Sequence, residues 1–259
     1  MSLTINKNFI GYRSNHKFES YSGSDTYENY TNQLKIKDKD WYYRTHDITY
    51  ERNSLGHRCK ELSEINFNDY ILTIGCSNTE GIGLELQKTY PYVLAERLNC
   101  SYYNLGLGGS GIDVLNHNLT MWMNIFKKPK LLVVQWPVRT RFSSFSGDPY
   151  TGITYNNMIS HSVWSITNEE VLKFLTSGDE IHYFKTTEVL TYLQINTYNI
   201  PTLHVSHDMY PIYISQFSDD PKIIMFTGID QARDNHYGIV SHENLAEKLH
   251  TKYKELYKG

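Results

Sequence analysis

The chain has 259 residues, 40% hydrophobic and 20% charged, enough length and apolar content to bury a full core and too apolar for a disordered segment. Its formal charge is −3 and its 25 Lys and Arg are scattered, which excludes the basic stripe of a nucleic-acid or anionic-membrane binder. The N-terminus lacks an apolar core of signal-peptide length, and no stretch approaches the roughly 18 apolar residues of a membrane span. A cytoplasmic location follows as the expectation, with association to a virion or cell surface left open. Cys59, Cys76 and Cys100 form neither an even framework nor a CxxC pair, so reduced thiols are expected. The 22 tyrosines fit either a carbohydrate-friendly aromatic surface or a genome biased toward AT-rich codons.

Residues 1–65 are polar and tyrosine-rich with weak periodicity, and read as an irregular arm, carrying a strand or two, packed on a domain formed by 66–259. From residue 70 short apolar runs alternate with amphipathic stretches, the pattern of βαβ units on a mostly parallel sheet. Tyr70 to Ile74 reads as a strand, followed by the loop GCSNTEGIG and a helix opened by Thr89 and Pro91, with Tyr90, Val93, Leu94 and Leu98 on one face. Ser101 to Leu105 reads as a second strand. It leads through GLGGSG into a helix whose Ile112, Leu115, Leu119, Trp122 and Phe126 keep helical spacing. Leu131 to Trp136 is apolar at consecutive positions, as a strand buried on both faces should be. A polar connection over 142–165 is long enough for an active-site loop or insertion. Helical patterns follow at about 168–176 and 186–197, then strands at Leu203 to Ser206 and Ile223 to Phe226. A last helix from about Ser241 stripes Leu245, Leu249, Tyr253 and Leu256. The expected fold is a three-layer α/β/α domain.

Ligands of an open parallel sheet bind outside the carboxyl ends of its strands, so the loops that matter are GCSNTEG, GLGGSG, WPVRTRF and ARDNHYG. GLGGSG matches G-x-G-x-x-G, but a dinucleotide site also needs an acid about twenty residues on, and no Asp or Glu occurs between Val114 and Gly147. GCSNTEG fails the G-x-S-x-G elbow because Thr79 stands at the last glycine. A serine between a strand and a helix start still presents its Oγ at the sheet edge, with its own N–H free to donate to an oxyanion. Its base candidate is His236, since an ordinary histidine pKa near 6.5 suits proton abstraction at neutral pH, and Asp234 is placed to orient the imidazole. Ser77, Asp234 and His236 are therefore the candidate catalytic residues, and Asn78 and Arg141 are candidate substrate contacts. His204, His207 and Asp208 contain metal-ligand types, but positions 204 and 207 of a strand point to opposite faces, and no metal site is expected.

These blocks resemble the SGNH/GDSL hydrolases, a family of esterases and acylhydrolases, over roughly residues 50–250. The first block is Gly75-Cys76-Ser77, with Cys76 in place of the usual aspartate, followed by TYPYVLAERL, and ERNSLGHR at 51–58 is similar to a segment that precedes the first strand in one branch. N-x-G-x-x-G appears as Asn104, Gly106 and Gly109, which carries the oxyanion-hole glycine onto Gly109. The last block keeps the spacing of His236, His242 and Leu245-Ala246-Glu247, with Asp234 one position closer to His236 than usual. The third block departs: the family's G-x-N-D is replaced by Trp136-Pro137-Val138-Arg139-Thr140, so the asparagine donor is missing, with Arg139 the candidate replacement and Arg141 and Gln135 nearby. The resemblance implies a flavodoxin-like α/β/α fold and a cofactor-free serine hydrolase. Its expected substrate is a carboxylic ester with a small acyl or O-acetyl group, borne on a small molecule or a glycan. Ser77 and Gly109 N–H groups, with Arg139, would form the oxyanion hole. The alternative is a silent relative that binds a glycan or protein partner in the same cleft.

Overall fold

In the computed structural model, residues 3–6, 9–12, 19–138, 141–146, 157–161, 179–207 and 219–258 are described. The central sheet has five parallel strands: β3 (Tyr70–Ile74), β4 (Ser101–Asn104), β5 (Leu131–Gln135), β8 (Thr202–His207) and β9 (Ile223–Phe226). Their order is β4-β3-β5-β8-β9, and every neighbouring pair is parallel. That is the flavodoxin-like 2-1-3-4-5 order, whose switch point lies between β3 and β5. The three-layer α/β/α reading of the sequence is therefore correct.

The continuous apolar runs explain the sheet. Every residue of β3 and β5 is buried, as strands covered by helices on both faces require. Among the described residues, four helices do the covering: α3 (Tyr90–Arg97), α4 (Ile112–Ile125), α5 (Asp179–Thr197) and α6 (Ile239–Tyr257). Helix α3 packs against α6 and α4 against α5. Tyr90 and Leu94 of α3, Leu115, Leu119 and Trp122 of α4, and Leu245 and Leu249 of α6 join one buried core with the strand residues. Thr89 is the N-cap of α3 and Pro91 lies in its first turn, but the Thr89 hydroxyl turns back to the carbonyl of Leu86 at 2.7 Å. No helix among the described residues is long and apolar enough to cross a membrane.

A second, antiparallel sheet has the order β2-β1-β7-β6, from β1 (Leu3–Asn6), β2 (Phe9–Tyr12), β6 (Phe142–Ser146) and β7 (Asn157–His161). The expected connection over 142–165 thus carries two strands that pair with each other, and β7 joins them to β1 of the N-terminal hairpin. The helical pattern expected at 168–176 lies outside the described residues. The first 65 residues also hold helix α1 (Tyr27–Ile36), capped by Thr26, whose side chain accepts from the Asn29 N–H at 3.1 Å. Arg52, Asn53, His57 and Arg58 of ERNSLGHR are all buried.

Candidate active site

Strand β3 ends beside the switch point, and the chain turns through Gly75 and Cys76 into α2, the four-residue helix Ser77–Glu80. The Cys76 carbonyl accepts from the N–H groups of Thr79 and Glu80 at 3.0 and 2.9 Å, so Ser77 opens the helix and its N–H has no acceptor within it. Neighbouring strand ends fix the turn. Thr79 Oγ1 donates to Gln135 Oε1 at the end of β5 at 2.6 Å, and Asn104 Nδ2 at the end of β4 donates to the Thr79 carbonyl at 2.8 Å. Ser77 is thereby held at the carboxyl edge of the sheet with its residue 6% exposed.

His236 reaches the serine from a short loop between β9 and α6. The loop closes on itself through the Ala232 N–H donating to the His236 carbonyl at 2.8 Å, with Asn235 in the left-handed region at φ 75°. His236 Nε2 lies 2.7 Å from Ser77 Oγ, and His236 Nδ1 lies 2.7 Å from Asp234 Oδ2. The positive φ of Asn235 lets an acid only two residues from the histidine turn back onto its ring. The spacing departure noted in the sequence is absorbed there. The Asp234 side chain is fully buried while that of His236 is 21% exposed. Burial opposes ionisation of Asp234, but the hydrogen bond and charge of His236, with further donors from Ser24 Oγ and the His236 N–H, outweigh it, and its pKa lies below the ordinary carboxylate value.

Gly83 closes the other side of this carboxylate. It has φ +80°, and a Cβ there would stand 2.3 Å from Asp234 Oδ1. Only glycine allows that approach.

The second loop is tied to the first through Glu80, which is fully buried. Its Oε2 accepts from the Gly108 N–H at 2.6 Å and from the Tyr12 hydroxyl at 2.9 Å, and its Oε1 faces Arg52 Nη2 at 3.2 Å. Gly109 follows directly, at φ 78°. Glu80 thus anchors the GLGGSG turn to the helix that begins with Ser77. Arg58 ties down the same region from below, donating to the carbonyls of Gly81 and Leu84.

Asn78 Oδ1 accepts from the Tyr237 N–H at 3.4 Å, linking the serine helix to the histidine loop. The Arg141 carbonyl lies against Gly111 of the glycine-rich turn, and its Nη1 is buried with no partner among the described residues. Arg139 lies outside the described residues, as does Asp208. His204 Nδ1 accepts from Trp136 Nε1 at 3.2 Å, His207 Nδ1 lies 2.8 Å from the Tyr237 hydroxyl, and no metal-binding group of three or more His, Cys, Asp or Glu occurs among the described residues. His242 is buried and accepts the Tyr90 N–H on Nδ1 at 2.9 Å, so it braces the start of α3 and its pKa is pushed down to about 3, burial being the main cause. All three cysteines are free.

Motif reading missed Ser24, Asp25, Arg52 and Glu80. Ser24 and Asp234 are 210 positions apart, and no local spacing signals such a pair. Glu80 had one clue, a lone acid in a glycine-rich loop downstream of a doubly basic segment.

No protein-family model matches the chain, and no curated protein does. Solved structures resemble it at low identity. An acetyl xylan esterase from the rumen bacterium Butyrivibrio proteoclasticus is similar at 16% identity over 72% of this chain and 64% of that one, with a TM-score of 0.46. A psychrotrophic esterase from a Pseudoalteromonas species is similar at 11% identity over 74% and 100% of the two chains, TM-score 0.48. A member of the lipolytic protein G-D-S-L family from Veillonella parvula is similar at 10% identity over 73% and 98%, TM-score 0.42. The chain spans slightly less than two thirds of the length of the acetyl xylan esterase.

Proposed function

We propose that the chain is a serine hydrolase that cleaves a carboxylic ester through an acyl-enzyme. One observation carries this reading: Ser77 Oγ, the two ring nitrogens of His236 and Asp234 Oδ2 form an unbroken chain of two 2.7 Å contacts at the carboxyl edge of the sheet. Ser77 Oγ attacks the ester carbonyl while His236 Nε2 takes its proton, and Asp234 holds the tautomer with Nδ1–H and stabilises the imidazolium. Collapse of the tetrahedral intermediate breaks the ester C–O bond as His236 returns the proton to the leaving alcohol. Water then attacks the acyl-Ser77 carbonyl, gives its proton to His236, and releases the acid as the proton returns to Ser77.

The Ser77 N–H at the helix start and the Gly109 N–H in the turn anchored by Glu80 are the proposed oxyanion donors, with Arg139 a third. Losing one donor costs roughly a hundred- to a thousandfold in rate, so replacement of the third-block asparagine by arginine matters for speed. No cofactor enters this chemistry. A small acyl or O-acetyl group, carried by a small molecule or a glycan, is the finer part of the proposal and rests on the family resemblance of the motifs. The aligned chain of contacts favours hydrolysis over a silent binding cleft, because recognition alone requires no base within 2.7 Å of a serine.

The test is covalent. A p-nitrophenyl alkylphosphonate should add one phosphonyl group to the protein by intact mass, located on Ser77 by peptide mapping and absent in Ser77→Ala. Failure of the wild-type protein to react, or equal labelling of both, would overturn the proposal.

A further inference from the structure

The acid of the proposed triad is gripped by a segment far from it in sequence. Ser24 sits at the tip of a two-residue turn closed by paired Ser22 and Asp25 backbone bonds of 2.9 and 3.0 Å, with Gly23 at φ 65°. Its Oγ donates to Asp234 Oδ2 at 2.6 Å and lies 3.4 Å from His236 Nδ1. The next residue, Asp25, takes both a 2.8 Å and a 2.6 Å bond from Arg233, the residue before Asp234. Two consecutive arm residues therefore hold two consecutive loop residues. The turn is fixed in its own right: Asn29 Nδ2 donates to the Ser24 carbonyl at 2.6 Å. The Tyr50 hydroxyl donates to Asp25 at 2.6 Å while accepting the Gly83 N–H at 2.8 Å. One turn further along, Gln33 Nε2 donates to Asn235 Oδ1 at 2.8 Å.

We propose that Ser24 is a positioning residue of the hydrolytic site, supplied by the N-terminal arm to hold the Asp234 carboxylate in line with His236. This rests on the reading of Ser77, His236 and Asp234 given above. The ion pair between Asp25 and Arg233 would suffice to pack the arm. The Ser24 hydroxyl does something different, because it binds the same oxygen that receives the His236 Nδ1–H. With the His236 N–H on Oδ1 at 3.2 Å, it stops rotation of the carboxylate away from the ring. It also draws charge from Oδ2, which moderates how strongly Asp234 favours the imidazolium. The titratable groups around Asp234 are His236 on its own loop and Tyr43 of the arm, while Asp25, Arg233 and Tyr50 satisfy one another. Ser24 itself is exposed, so removing its hydroxyl opens no cavity.

The experiment compares Ser24→Ala, Ser24→Thr and the wild-type chain in p-nitrophenyl acetate hydrolysis, in thermal unfolding and in the proton NMR resonance of the His236 Nδ1–H, which reports its hydrogen bond to Asp234. In Ser24→Ala, kcat should fall about tenfold to thirtyfold, the effect of losing one hydrogen bond to a charged group, with KM within about twofold. The Nδ1–H resonance should move from its wild-type position, because the oxygen that accepts it loses its second donor. Ser24→Thr, which keeps the hydroxyl, should restore both. An unchanged kcat and resonance in Ser24→Ala would overturn the proposal, as would equal damage in both variants that tracks a lower Tm. A wild-type chain with no ester turnover would instead overturn the hydrolase reading, and the Nδ1–H resonance would then decide alone whether Ser24 acts on the Asp234–His236 pair.

Discussion

Replacing Gly83 by alanine should uncouple folding from activity in a way the geometry specifies. The new Cβ would lie 2.3 Å from Asp234 Oδ1 and 2.8 Å from the Ala232 Cβ, in a backbone at φ +80°. Ordinary carbon–oxygen contact needs about 1 Å more than that, and both obstacles belong to the histidine loop, so the loop must move by about that amount. The left-handed backbone alone costs an alanine about 1–2 kcal/mol, equivalent to roughly 3–6 °C in Tm for a chain of this size. A 1 Å displacement of a catalytic group can cost about a hundredfold in rate, or about 2.7 kcal/mol of barrier. The expected result is therefore a folded protein with a modestly lower Tm and a kcat on p-nitrophenyl acetate down by about two orders of magnitude. The assay pairs steady-state kinetics with circular-dichroism melting. A variant that loses the Tm but keeps kcat within twofold would refute the argument, because Asp234 would then tolerate the displacement that the contact demands.

Two further outcomes concern stability. His57, His204 and His242 are buried, and burial is the main cause that pushes their pKa values down to about 4, about 4 and about 3. Each binds its proton more readily in the unfolded chain, at about 6.5, so stability rises with pH between the folded and unfolded values and is lost as pH falls below about 6.5. From pH 7 to pH 5 the three together should remove about 6 kcal/mol, comparable with the whole stability of an ordinary domain. Asp234, whose pKa is depressed, loses its contribution only below about pH 4 and does not offset this. Urea unfolding at the two pH values measures the difference, and a change below about 1 kcal/mol would contradict the buried, neutral histidines. The second outcome is that Glu80→Ala, which takes one of two carboxylates from the buried Arg52 guanidinium, leaving it Glu19 at 3.0 Å, and frees the Gly108 N–H, should lose about 1–3 kcal/mol, whereas an exposed change such as Glu255→Ala should be nearly silent.

The sheet was readable because its signal is hydrophobic and local. Leu131–Val134 are consecutive apolar residues and Ile71–Ile74 is broken only by Thr73, both runs end up buried, and the spacing of Leu115, Leu119 and Trp122 marks the covered stripe of α4. Helix α1 escaped for the opposite reason. Its one buried residue is Gln33, while Tyr27 and Ile36 are 66% and 74% exposed, so it has no apolar stripe and is held by polar bonds to a distant loop. In the site, Ser77, Asp234 and His236 could be chosen from residue chemistry at strand ends. The Asp25–Arg233 and Arg52–Glu80 pairs that support them could not, since burial of a charge depends on a partner that only the fold brings near. The last helix begins at Ile239 rather than Ser241, because the Ser241 N–H and hydroxyl are taken up by Asp230 within the first turn.

The central claim is that Ser77 is the nucleophile, activated by His236 at 2.7 Å. Hydrolysis of p-nitrophenyl acetate by the wild-type protein beside Ser77→Ala, with both shown to be equally folded, tests it most directly. The account predicts turnover with a burst of p-nitrophenol from acyl-enzyme formation in the wild type, and loss of both in the variant. Equal rates in the two proteins, or none in either, would contradict it.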